Sequence, residues 1–492
     1  MKKIRMFAAT LFVLLSLTFP ALAQTRALLV ACTDFVSQMD LGAAISGNLH
    51  MIGSAFLSAG IGLGDLSIED GTIGTREALS EALRKAFDGA AEDDLSILYL
   101  CTHGILSSSD DEQVYLLLGD GQTETPIGAQ ELYALIQDIP GEKLLILDAC
   151  YSGALIGRGA PQQGRLPGSR VPPASFTPFL ADSSIHVLTS SSGSESSWYY
   201  NSEALSTGAV SYFASALSSG LGLYGTPEAD LSGDGRITLE ELHRYLRVAV
   251  PSSSCQMLST NAENLLLPIA TGSMLSRPLA GFSYDTSLLT AENPMLNFSF
   301  TVTQESASVQ YRLVDYVGGA WDWTNARTYM DSGDNGDGVL STGRKQRTLS
   351  LDGLAPEEGG YLMLQVFSIA QDEVLLCSER LVAVQPQEHE AVMRISCGKA
   401  LLHPGLEELP IDASIDMPVE LSVSVFDAEG RLVRRLLASQ LTRPSPDGTT
   451  HLYWDGRGAD GQPVSSGEYT IAAEARTGSS RLKATVTTHI GA

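Results

Sequence analysis

The chain has 492 residues, enough for about three domains of roughly 150 residues each. Its hydrophobic share of 44% and charged share of 18% are ordinary for a globular protein. A formal net charge of −26 excludes a generally basic face for nucleic acid or an anionic membrane surface, and suits metal cations and basic substrates.

In chain order, the first segment is MKKIRMFAATLFVLLSLTFPALA, with Lys2, Lys3 and Arg5 ahead of an apolar run and a small-residue end at Ala21-Leu22-Ala23. This predicts a secretory signal over 1–23, removed to leave a mature chain starting near Gln24 with no membrane span. The expected location is secreted or extracytoplasmic, at the cell surface or in the periplasm. Six cysteines scattered over the chain are too few for a disulfide-framework module. Cys32 and Cys101 sit in apolar runs and read as buried thiols, whereas a pairing of Cys377 with Cys397 stays open.

Residues 24–272 alternate apolar runs with helical patterns. RALLVACT (26–33), LSILYLCT (95–102), KLLILDA (143–149) and SIHVLTS (184–190) predict buried strands. TREALSEALRKAF (75–87) puts Ala78, Leu79, Ala82, Leu83, Ala86 and Phe87 on one stripe behind a Thr75 N-cap, and a second helix is expected around 131–139. Continuous apolar strands separated by helices predict an α/β domain whose mostly parallel sheet is flanked by helices, with ligands at the strands' carboxyl ends. Between the third and fourth strands, 155–176 is rich in Gly, Pro and Arg and reads as an exposed loop. Further on, 275–388 and 392–492 are strand-like with turn residues between the runs, which predicts two β-sandwich, Ig-like domains.

Two strand ends carry the residues of a nucleophilic site. LYLCTHG (98–104) ends at His103-Gly104, and LLILDACYSG (144–153) ends at Asp148-Ala149-Cys150 followed by a glycine-bearing turn. A cysteine nucleophile needs a base to hold its thiolate and donors for the oxyanion formed on attack, and two parallel strands would bring both to one sheet edge.

These two blocks resemble the catalytic blocks of the caspase-like cysteine peptidases, the clan of caspases, metacaspases, legumain, gingipain and clostripain. The resemblance runs over about residues 25–250, and the interval from His103 to Cys150 is close to the roughly 50 residues of caspase-type enzymes. It implies Cys150 as nucleophile, His103 as general base, and the backbone N–H groups of Gly104 and Cys150 as the oxyanion hole, with no third member of a triad. Mammalian caspases read Gln-Ala-Cys where this chain reads Asp148-Ala149-Cys150. In metacaspase- and clostripain-like members that acid lines the S1 pocket, which implies substrates with Arg or Lys at P1, with Glu195 as a second pocket acid. The alternative is that Asp148 only orients local backbone.

DLSGDGRITLEE (230–241) fits the calcium-loop pattern: Asp230, Ser232, Asp234, the Arg236 carbonyl, Thr238 and Glu241 stand at the ligand positions, with Gly235 at the sharp turn and Ile237 as the apolar contact. Serine at the third position removes a charge and weakens the expected Ca2+ site, and a solvated acidic turn is the alternative. GDNGDGVLS (333–341) lacks the end carboxylates and reads as a hairpin turn. Arg158, Arg165 and Arg170 in the 155–176 loop are candidate autoprocessing sites if the pocket prefers Arg; a passive linker nicked by other proteases is the equal alternative.

The last segment, VSVFDAEGRLVRRL followed by YWDGRGADGQPVSSGEYT, resembles the Ig-like modules of flagellar hook-capping proteins and of the C-termini of secreted bacterial proteins. This implies a spacer or cell-surface attachment module. The sequence therefore predicts a secreted cysteine endopeptidase that cleaves after Arg or Lys, is stabilised by calcium and acts on proteins or peptides. A catalytically inactive calcium-binding surface or adhesion scaffold is the competing reading.

Overall fold

A computed structural model describes residues 23–106, 114–158, 178–200 and 209–270, and from 275 to 491 all but 276, 305–306, 352–358, 371–372, 387–388, 390, 405–406, 446–447 and 478–479. The expected signal segment therefore lies outside the described residues, apart from Ala23. Among the described residues, no helix is long and apolar enough to cross a membrane.

The first domain is built on β1 (Thr25–Ala31), α1 (Ala43–Ser58), β2 (Leu66–Asp70), α2 (Arg76–Ala86), β3 (Leu95–Cys101), β4 (His103–Leu106), β5 (Val114–Gly119), β6 (Glu124–Ile127), α3 (Ala129–Ile136) and β7 (Glu142–Asp148). It continues with β8 (Ile185–Thr189), β9 (Tyr199–Tyr200), β10 (Val210–Ser211), α4 (Tyr212–Gly220), α5 (Leu239–Ala249) and β11 (Gln256–Leu258). Its main sheet runs β11-β8-β7-β3-β1-β2, parallel except for β11. The pleat splits each apolar run between the two faces. Ala27, Leu29 and Ala31 join the core under α1, α4 and α5, and Leu28, Val30 and Cys32 join the core under α2 and α3. All four predicted strands and the 75–87 helix are present, shifted by one or two residues. Thr75 does cap α2, its hydroxyl accepting the Ala78 N–H at 3.1 Å.

A small antiparallel sheet, β4-β5-β6, stands at the carboxyl edge. The chain passes into it through Thr102, whose N–H donates to the Asp148 carbonyl at 3.2 Å and whose hydroxyl donates to Leu117 O. His103 therefore stands at the junction of two sheets, not at a free strand end.

The C-terminal half is β-rich. Between Leu279 and Gln385, a three-stranded and a six-stranded sheet share one apolar core. Between Met393 and Ile490, a three-stranded and a five-stranded sheet share another, with Trp454 1% exposed at its centre. The Trp454 indole donates to the Arg457 carbonyl at 2.9 Å, and Gly456 and Gly461 turn the chain at φ +74° and +72°. The 333–341 stretch is a turn: Asp334 N–H donates to Val339 O, and its carboxylate holds Lys345 at 2.6 Å. All six cysteines are free thiols, so Cys377 and Cys397 do not pair.

Candidate active site

Parallel register builds the site. Ala31 pairs with Cys101 and Cys101 with Asp148, so His103 and Cys150 each follow their strand by two residues at the same edge. Gly104 lies against the nucleophile's own backbone: a Cβ there would stand 1.7 Å from the Cys150 carbonyl oxygen. Only a residue without a side chain lets β4 approach Cys150 so closely.

The turn after the cysteine is held in a costly conformation. Tyr151 sits in the left-handed region at φ 58°, which costs a non-glycine residue about 1–3 kcal/mol and persists only when its surroundings impose it. Here the imposing bonds come from the loop after β8. The Tyr151 N–H donates to Glu195 O at 2.9 Å, and the Gly153 N–H to Ser191 O at 3.0 Å. The Ser152 N–H donates to the Ser191 hydroxyl at 3.3 Å. The Ser197 carbonyl accepts from Cys150 Sγ at 3.8 Å.

His103 Nε2 is 2.8 Å from the Met39 carbonyl, and its ring packs on Phe35 at 4.7 Å. A carbonyl can only accept, so Nε2–H is the donor here, and in the neutral ring the lone pair lies on Nδ1. Sequence reasoning missed this contact because a backbone carbonyl leaves no residue-type signal. Burial pushes the Cys150 thiol above its ordinary range, and the Asp148 carboxylate adds to the rise. The resting side chain is therefore the thiol, and a proton acceptor is required for attack.

Asp148 lies beneath this turn and is 3% exposed. Its Oδ2 accepts from Ser211 Oγ at 2.5 Å, Tyr99 OH at 2.8 Å and Asn48 Nδ2 at 3.4 Å, and its Oδ1 from Ser197 Oγ at 3.1 Å. Burial raises its carboxyl above the usual range while these donors pull it down. The acid is thus a buried node that ties β7 to α1, β3, β10 and the loop after β8. Glu195 is half-buried, and its Oε1 accepts the N–H groups of Ser192 at 3.0 Å and Ser254 at 2.5 Å, which fixes the loop.

Arg158 requires a correction. The sequence placed it on an exposed processing loop, yet it is 7% exposed. Its guanidinium donates to Glu408 Oε1 at 2.6 Å and Met257 O at 3.2 Å and lies 4.1 Å from the Tyr453 ring centre. A buried, paired side chain cannot enter a protease cleft as P1 without breaking these contacts. Arg165 and Arg170 lie outside the described residues.

In the 230–241 loop, Asp230 accepts the N–H groups of Gly233, Asp234 and Gly235 at 2.8–3.1 Å, and Gly235 adopts φ +79°. Ile237 is buried, as the pattern expects. Glu241 has a second role that Thr-x-x-Glu spells out: it forms the capping box of α5, with Oε2 on Thr238 N–H and hydroxyl at 3.0 and 3.1 Å. Its Oε1 accepts Ser232 N–H at 3.0 Å. These oxygen donors suit a hard cation such as Ca2+. Among the described residues, however, no three His, Cys, Asp or Glu side chains gather as a metal-holding group.

Residues 6–170 match the CHAT domain family, which is caspase-like, and residues 407–479 match the FlgD Ig-like domain. The two matched stretches contain the His103 and Cys150 blocks and the Trp454 segment whose motifs carry the resemblances. Among solved structures, caspase-1 from Spodoptera frugiperda is 15% identical, with a TM-score of 0.33 over 51% of this chain and 92% of that one. Protein GSU0716 from Geobacter sulfurreducens is 16% identical, with a TM-score of 0.31 over 48% and 92%. The YadV chaperone is 8% identical, with a TM-score of 0.25 over 43% and 100%. Likenesses this loose carry no argument. No curated protein matches the chain.

Proposed function

We propose that this chain, with its caspase-like domain ahead of an Ig-like module, is an extracytoplasmic cysteine endopeptidase. It cleaves proteins or peptides after Arg or Lys through His103 and Cys150. The observation that supports it best is the shared register of the two strand ends, with Gly104 seated on the Cys150 carbonyl.

Substrate binds along the carboxyl edge. His103 Nδ1 takes the Cys150 proton as Sγ attacks the scissile carbonyl carbon, and the N–H groups of Gly104 and Cys150 receive the oxyanion. Met39 O holds the imidazole in the tautomer this needs and steadies the imidazolium that forms. Collapse expels the amine, which leaves with the His103 proton, and water then hydrolyses the thioester.

Asp148 beneath the turn and Glu195 beside it favour a cation at P1 and repel a carboxylate. Asp230, Ser232, Asp234, the Arg236 carbonyl, Thr238 and Glu241 would hold Ca2+ as a brace away from the chemistry, and the C-terminal module is the proposed point of cell-surface attachment. Reporter peptides with Arg, Lys or Asp at P1 test the specificity. Arg and Lys should exceed Asp by well over tenfold, since a buried mispaired charge costs several kcal/mol, and Asp148→Asn should shrink that ratio. An Asp-preferring profile would remove the two acids from the pocket.

A further inference from the structure

The Ig-like module, expected as a spacer, is docked on the peptidase domain through three arginines. Arg443 donates to Ser253 O at 2.8 Å and Val250 O at 2.5 Å, Arg434 pairs with Glu263 at 3.3 Å, and Arg158 is gripped by Glu408 and Tyr453. Arg158 differs from the other two because it belongs to the nucleophile's own segment. Its N–H donates to Gly153 O at 2.8 Å, and its carbonyl accepts the Gly193 N–H at 2.8 Å. Gly153 and the 191–195 loop are the groups that hold Tyr151 in its left-handed conformation, and a Cβ on Gly153 would meet Ser191 O at 2.8 Å. A continuous path therefore runs from the module through the Arg158 side chain into both halves of the cradle around Cys150.

The pair is built for rigidity. Its side chains are 9% and 11% exposed, and burial pushes the Glu408 carboxyl up while Arg158 pulls it down. Removing one partner of such a pair strands the other charge, so the segment shifts to reach solvent. The stacked Tyr453 ring adds a directional contact on the guanidinium face.

We propose that Arg158, held by Glu408 and Tyr453 of the Ig-like module, is a positioning residue that keeps the 150–158 turn and the 191–197 loop in working geometry. The module is then a part of the peptidase site, and detaching it disables the site. The proposal rests on the peptidase reading for its kinetic consequence but not for its structural one.

The test uses the full chain with Glu408→Gln, which keeps the volume, and Tyr453→Leu, which leaves the ion pair intact. Backbone amide exchange should accelerate about tenfold or more in 150–158 and 191–197 and stay unchanged in β1 and β3. Below the melting temperature, kcat on an Arg reporter should fall roughly tenfold to a hundredfold with KM within about twofold. Uniform acceleration across all amides, or none in the two segments, would reduce the clasp to ordinary docking. Should the wild type hydrolyse nothing, the peptidase reading fails, and the exchange pattern still decides whether the module holds the turn.

Discussion

Gly104→Ala is the sharpest perturbation of the site, because the structure sets its size. The added Cβ would stand 1.7 Å from Cys150 O, 2.7 Å from its carbonyl carbon and 3.3 Å from its nitrogen. Non-bonded heavy atoms rest about 3.5 Å apart, so β4 or the nucleophile turn must retreat by roughly 1.5 Å or more. The neighbour is backbone, flanked by the Tyr151 N–H bond to Glu195 O and the Asp148 carbonyl's bond from Thr102 N–H, and cannot swing aside as a long side chain would. Overpacking of this kind costs about 1–3 kcal/mol, a drop of roughly 2–12 °C in melting temperature for a domain of this size. The catalytic effect should be larger, since a displacement of about 1 Å between base and nucleophile costs about a hundredfold. Thermal melts and reporter kinetics on the same preparation measure both. A variant with wild-type melting temperature and rate would refute the close approach of Gly104 to Cys150.

Calcium at ~100 Kd should add about 2.7 kcal/mol of stability through 230–241. Ser232→Asp should lower the calcium concentration required, and Glu241→Ala should abolish the calcium-dependent shift in melting temperature; a shift that survives places the metal elsewhere. New N-termini from autoprocessing should map after Arg165 or Arg170 and not Arg158, and be absent from Cys150→Ala; cleavage after Arg158 would contradict its buried clasp. Glu379 sits between Gln365 at 2.9 Å and Ser252 of the first domain at 3.5 Å, and burial pushes its carboxyl up to about 8. A raised carboxyl contributes stability in its protonated form, complete below about pH 4.5 and lost as pH rises through about 8. Melting temperature should therefore decline across that window and flatten in Glu379→Gln, with a full effect of at most a few kcal/mol; an unchanged slope would mean the group titrates normally.

What the sequence revealed follows from which contacts are local. Buried parallel strands read as unbroken apolar runs, so β1, β3, β7 and β8 were legible, and with them the shared edge of His103 and Cys150. The 43–58 helix was not predicted: its N-terminus has no side-chain cap. The cradle around Asp148 draws on Asn48, Tyr99, Ser197 and Ser211, polar residues of common type whose meeting depends on the finished fold. Arg158 misled for the same reason: its neighbours in sequence are loop-forming, while Glu408 and Tyr453 lie in another module. Glu241 shows the reverse case, since its capping box is written locally and overlaps the metal pattern.

In the proposed function Cys150, with His103, hydrolyses peptide bonds. The most direct measurement compares purified full-length wild type, Cys150→Ala and His103→Ala on one P1-Arg reporter, with folding of each checked by its melting curve. The wild type should turn the reporter over, and both variants should lose at least about a thousandfold, as when a member of a nucleophile–base pair is removed. Equal rates from all three folded proteins would contradict it.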